Sequence, residues 1–102
     1  MELNDVKLYL RVDGDEDDTL ISSLILTAKR YIENGTGITI EMANNSEKIK
    51  PIYNLALELL ISHWYENREI EGTNKNKLSF SIDSLLLQLE AEYLKMKRVG
   101  VI

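Results

Sequence analysis

A chain of 102 residues that is 44% apolar has material for one domain with a modest core, and its lack of cysteine excludes disulfides and thiolate metal sites and suits a reducing compartment. The formal charge of −5 is local to residues 1–20, where Glu2, Asp5, Asp13, Asp15, Glu16, Asp17 and Asp18 face only Lys7 and Arg11, and with Lys95, Lys97 and Arg98 the one basic cluster, tight sequence-specific DNA binding is not expected. No apolar run nears the roughly 20 residues of a membrane span, and Glu2 and Asp5 break the order of a signal peptide, so a soluble cytoplasmic chain is expected.

Val6, Tyr9 and Leu10 repeat at helical spacing behind Asn4 as N-cap and predict a short first helix, broken by the turn Val12-Asp13-Gly14-Asp15. The second helix is the clearest. On a wheel of about 100° per residue, Leu20, Ile21, Leu24, Ile25, Ala28, Tyr31 and Ile32 occupy an arc of roughly 140°, which is a core face. Asp15 to Asp18 suit its positive dipole end, and Asn34-Gly35 reads as a left-handed C-cap. Leu26 falls outside the arc, on the polar side, where it is an ordinary exposed leucine or a contact residue of an oligomer.

Residues 36–49 read as connection. The alternation in Thr36-Gly37-Ile38-Thr39-Ile40 suggests a short strand pairing with Lys77-Leu78-Ser79-Phe80, a minor two-strand element. Asn44-Asn45-Ser46 is turn material before Pro51, which is tolerated in a helix's first turn. The third helix, predicted from Pro51 to Arg68, spreads its apolar residues over roughly 280° and leaves only Asn54, Glu58 and Ser62 as a polar wedge. So small a domain cannot cover such a helix on every side, and part of it is expected to meet another subunit. A polar loop follows from Ile70 to Ser79. The last helix is predicted from Ser81 as N-cap, with Phe80 stapled to Leu85 and a core stripe of Ile82, Leu85, Leu86, Leu89, Tyr93 and Met96. Leu87 and Leu94 form a second apolar stripe opposite. The expected fold is a single all-α domain over 1–102 with four helices, one short and three long, with residues 95–102 as a flexible tail.

Chemistry-bearing patterns are weak throughout. Asp13 to Asp18 resembles a calcium loop, but an EF-hand wants Gly and Glu where this chain has Asp18 and Leu24, so helix-start acids are the better reading. His63 is the only histidine, has no cysteine to share a metal with, and sits between Leu59, Ile52 and Ala56 on the core side; Ser62 points about 100° away from it. A structural histidine is the reading. Carboxylate pairs such as Glu66 and Glu69 lack a cleft, and Gly35-Thr36-Gly37 follows a helix instead of opening one as a phosphate loop does. Neither enzyme, metal nor cofactor is expected. Trp64, Tyr65 and Arg68 are of types enriched at interfaces and also suit the closing of a core, and the two uses are compatible.

Three segments carry a resemblance: Tyr9-Leu10-Arg11-Val12-Asp13-Gly14-Asp15, Tyr31-Ile32-Glu33-Asn34-Gly35-Thr36-Gly37, and His63-Trp64-Tyr65-Glu66-Asn67-Arg68-Glu69. In this order they resemble the tailed-phage head-tail connector family, small helical adaptor proteins of phages and prophages also called DNA-packaging proteins. The resemblance covers about residues 3–70 and matches the last third only loosely. It implies a structural virion protein: a ring homo-oligomer, formed alone or only on the portal, under the portal protein of a filled capsid. Such a ring extends the DNA channel and receives a stopper or tail-completion protein. DNA would pass without specific binding, which suits an acidic chain. The implied location is the virion head-tail junction, with assembly in the bacterial cytoplasm. Leu26, Trp64, Tyr65, Arg68, Leu87, Leu94, Lys97 and Arg98 are the assembly candidates, the last two within a tail that would order on the portal. The alternative is a small prophage-encoded helical regulatory or DNA-binding protein, which requires a basic recognition helix.

Overall fold

The computed structural model describes residues 2–67 and 75–100, and the backbone alone at 75–80. Among these residues the chain forms five helices and no strand: α1 (Leu3–Leu10), α2 (Asp18–Thr36), α3 (Ile40–Asn44), α4 (Ile49–Glu66) and α5 (Lys75–Arg98). The all-α class stands, with one short helix more than the sequence suggests.

Helix α1 has Glu2 as its N-cap and starts two residues earlier than an Asn4 cap would give. Asp5, in its first turn, accepts a hydrogen bond from the Glu2 N–H at 3.0 Å, which satisfies a donor the helix cannot use. Arg11 closes the helix in the left-handed region at φ 62°, and Val12 N–H returns to the Lys7 carbonyl at 2.9 Å. Lys7 Nζ then meets Asp18 Oδ1 at 2.7 Å, tying α1 to the first turn of α2. That hydrogen bond is the main reason the Lys7 ammonium lies above its usual range.

Helix α2 buries Ile21, Ile25, Ala28 and Ile32 of the predicted face and carries it one turn further to Thr36, while Leu20 and Leu24 are half-buried and Tyr31 is exposed at the edge of that face. Its end corrects the Asn34-Gly35 cap. The left-handed residue is Gly37, at φ 88°, whose N–H donates to Glu33 O at 2.8 Å. Buried Thr36 donates its hydroxyl to Ile32 O at 2.7 Å and accepts from Ile38 N–H at 3.1 Å, so the turn is held by a side chain that looked like strand material. Ile38 enters the core fully buried.

The two-strand element is therefore absent. Thr39 accepts from Met42 N–H at 3.2 Å and caps α3, and the backbone at 77–80 belongs to α5. Ser46 accepts from Ile49 N–H at 3.2 Å and opens α4, which places Pro51 in the first turn, where its missing N–H costs nothing. Helix α4 begins two residues before Pro51 and closes at Glu66. Helix α5 begins at Lys75, so Ser81 lies inside a helix and the predicted loop is cut short by it; the Phe80 side chain and the predicted staple lie outside the described residues. Residues 95–98, read as tail, are the last turn of α5.

Helix α4 is the hub, packing against α5, α2, α3 and α1. Ile49, Tyr53, Ala56, Leu57, Leu60 and Ile61 are its buried residues in the core, and Ile82 and Leu89 close it from α5. Each large apolar side chain fully buried here stabilises the fold by about 1.5–3 kcal/mol before entropy is counted. Glu92 joins the two helices at one end, lying 3.3 Å from Lys48 and 3.6 Å from Lys95.

Tyr53 carries one anomaly in this core. The side chain is fully buried, and its hydroxyl has no hydrogen-bond partner among the described residues. Burial, with help from the Glu33 and Glu41 charges, pushes its pKa up to about 12. A buried hydroxyl without a partner costs roughly 1–3 kcal/mol. Tyr53→Phe is accordingly expected to leave urea stability unchanged or raise it by about 1 kcal/mol at pH 7. The folded pKa lies above the unfolded value of about 10, so the folded state holds this proton longer and stability falls as pH rises through the window from 10 to 12. Tyr53→Phe should flatten part of that decline in a pH series of unfolding curves.

Candidate assembly surface

The C-terminal turn of α4 gathers the aromatic candidates. Trp64 is half-buried against the core and stands edge-on to the Tyr31 ring of α2, with centroids 5.8 Å apart and planes at 79°. That geometry directs the positive ring edge of one at the negative face of the other. Tyr65 reaches back across the domain and donates its hydroxyl to Asp17 Oδ2 at 2.6 Å, at the start of α2. Both residues therefore pin the end of α4 to α2. Arg68 lies outside the described residues.

Tyr65→Phe removes a charge-assisted hydrogen bond in a partly buried place, and a loss of about 1–2 kcal/mol in urea unfolding is expected. Asp17→Asn, which keeps an acceptor, should lose less.

His63 is half-buried on the same turn. Its carbonyl accepts from Asn67 N–H at 3.0 Å and from Asn67 Nδ2 at 2.9 Å, while its ring Nδ1 lies 3.3 Å from that same Nδ2. Asn67 thus closes α4 by serving a terminal carbonyl, and the imidazole packs beside the cap. Among the described residues no group of His, Asp and Glu is placed to hold a metal ion, and no helix is long and apolar enough to cross a membrane.

The remaining candidates sit on open surface. Leu26 on α2 is 69% exposed, Leu87 on α5 65% and Leu94 50%. Lys97 and Arg98 are exposed in the last turn of α5, which they share with Lys95, whose ammonium is engaged with Glu92.

Sequence reasoning missed the shape that Leu87 belongs to. Leu55 and Leu59 of α4 and Leu85 and Leu87 of α5 line an open groove of about 700 Å³ between the two helices, with Ser81, Asp83 and Ser84 along one wall. Leu55 is 45% exposed there. A smaller recess beside it is lined by Gly35, Asp83, Leu86, Leu87 and Glu90, so Asp83 and Leu87 form the ridge between the two. On α4 itself, partial burial raises the Glu58 carboxyl above its ordinary range. The available signal was the apolar spread of α4. Which arc of that spread stays uncovered depends on where α2 and α5 come to lie.

Among the described residues the arrangement offers packing and contact. Against known proteins, the family model described as phage gp6-like head-tail connector protein matches residues 1–93, reaching past the three motif segments into α5 as far as Tyr93. No curated protein and no solved structure matches the chain.

Proposed function

The chain belongs to the phage gp6-like head-tail connector family, and from that premise we propose that it is a ring-forming adaptor that joins the portal of the capsid to the tail and prolongs the DNA channel between them. Membership of a structural family carries a connector role in general and gives no support to an enzyme. The finer reading rests on one observation: apolar surface is left uncovered on two different helical faces, at Leu26 and in the groove of Leu55, Leu59, Leu85 and Leu87. Ring assembly needs two unlike faces on each subunit, because head-to-tail contacts close by rotation. The portal protein of the capsid and a stopper or tail-completion protein are the proposed neighbours, at the head-tail junction of the virion. Assembly takes place in the host cytoplasm in this reading.

Trp64 and Tyr65 are proposed to shape the end of α4 that the neighbouring subunit meets, with Leu94 extending the apolar stripe below Leu87, and Arg68 is proposed as an assembly residue from its type and its place in the motif. Lys97 and Arg98, at the exposed end of α5, are proposed to reach the portal. DNA slides through without specific binding, in keeping with a net charge of −5. Co-sedimentation with the cognate portal tests the role: the chain is expected to pellet with it at a fixed stoichiometry, and removal of residues 97–102 to weaken that binding by roughly ten-fold, about 1.4 kcal/mol. Undiminished binding by the shortened chain would remove Lys97 and Arg98 from the contact. Salt-sensitive DNA binding without any portal binding would favour the regulatory alternative instead.

A further inference from the structure

Which two faces meet can be read from side-chain order and charge, with the second copy as occupant taken from the connector reading above. The groove between α4 and α5 is apolar at Leu55, Leu59, Leu85 and Leu87 and acidic at its wall, where Asp83 stands one helical turn before Leu87. Asp83 is exposed, and among the described residues no ion pair engages it. On α2 the complementary pattern occurs. Leu26 projects from short neighbours, Ser22, Ser23 and Thr27, and is followed one turn later by exposed Arg30, which is likewise outside the ion pairs of the described residues.

We propose that the Leu26 and Arg30 face of α2 in one copy seats in the α4–α5 groove of the next, Leu26 among the groove leucines and Arg30 beside Asp83. The spacing supports the register. Leu26 to Arg30 and Leu87 to Asp83 each span four residues, about 6 Å along a helix axis. They run in opposite chain directions, so α2 of one copy lies antiparallel to α5 of its neighbour. On α2, Leu26 points roughly 130° away from the buried residues that face α4 and α5. The ridge and the groove of one molecule are therefore on different sides, and the pairing cannot close as a twofold dimer. Each added copy leaves one free ridge and one free groove until the series closes on itself.

The chain has no cysteine, so Leu26→Cys and Leu87→Cys each introduce a single thiol at an exposed site. With a short bismaleimide at high protein concentration, a mixture of the two variants should give crosslinked dimer in about ten-fold excess over either variant alone. Equal yields in the three samples, or no crosslink in any, overturn the pairing, as does a Leu87→Cys thiol that links to the portal but not to Leu26→Cys. Charge offers a second readout. Arg30→Glu and Asp83→Lys should each weaken association by about ten-fold, and the chain carrying both should recover most of it. No recovery overturns the Arg30 and Asp83 contact. Portal capture of the same variants separates the two levels: capture without the mixed crosslink rejects the pairing and keeps the connector role, while the crosslink without capture does the reverse.

Discussion

Replacing Gly37 by alanine is expected to lower stability by about 2–4 kcal/mol, whereas the same change at Gly35, two residues earlier, should raise it by about 0.5–1 kcal/mol. Gly37 is left-handed at φ 88°, and a Cβ there would lie 2.7 Å from the Tyr93 ring, closer than real contacts allow. Tyr93 is packed against the core from α5 and Ile38 follows fully buried, so neither the ring nor the backbone can yield freely. Gly35 is helical, and a Cβ there meets nothing within 4 Å, so alanine only reduces the freedom of the unfolded chain. Urea unfolding of the two variants decides which glycine ends α2. A destabilised Gly35→Ala with a neutral Gly37→Ala would return the cap to Asn34-Gly35.

Trp64→Ala should cost about 2–3 kcal/mol, somewhat less than a fully buried tryptophan because the side chain is only half-buried. Part of the loss belongs to the edge-on contact with Tyr31. In a double-mutant cycle with Tyr31→Ala the pair should show a coupling of about 0.5–1.5 kcal/mol. A coupling near zero, with stability unchanged by Trp64→Ala, would mean that the indole serves a neighbour alone. Trp64→Phe keeps most of the buried area and should recover at least half of the loss.

The helical fold was legible wherever one face of a helix meets the core, as with Ile21, Ile25, Ala28 and Ile32 on α2. It was misread where local signals outran tertiary ones. Asn34-Gly35 is a good cap by composition, but burying Thr36 and Ile38 carries α2 two residues further. Thr36, Ile38 and Ile40 alternate like a strand because the first two turn inward around Gly37, while Ile40 opens α3. Lys75 to Ser79 has no apolar period at all, and Ser81 with Asp83 imitates a helix start, so the first turns of α5 left no trace in the pattern.

The surface was legible in part. Leu26 and Leu87 depart visibly from the core faces of their helices and are indeed exposed. Leu55 and Leu59 do not depart from anything, because α4 is apolar nearly all round. Only the placement of α5 determines that these two become a groove wall. Two residues after Ser81, Asp83 suits the positive end of a helix that would start there; α5 starts at Lys75 instead, and Asp83 lies on the groove wall within the helix.

Electron microscopy of the chain mixed with its cognate portal tests the connector account most directly. The account predicts a ring of this chain on the portal, coaxial with the channel, with α2 of each subunit against the α4–α5 groove of the next. Portal particles carrying no added ring at saturating concentrations of the chain would contradict it.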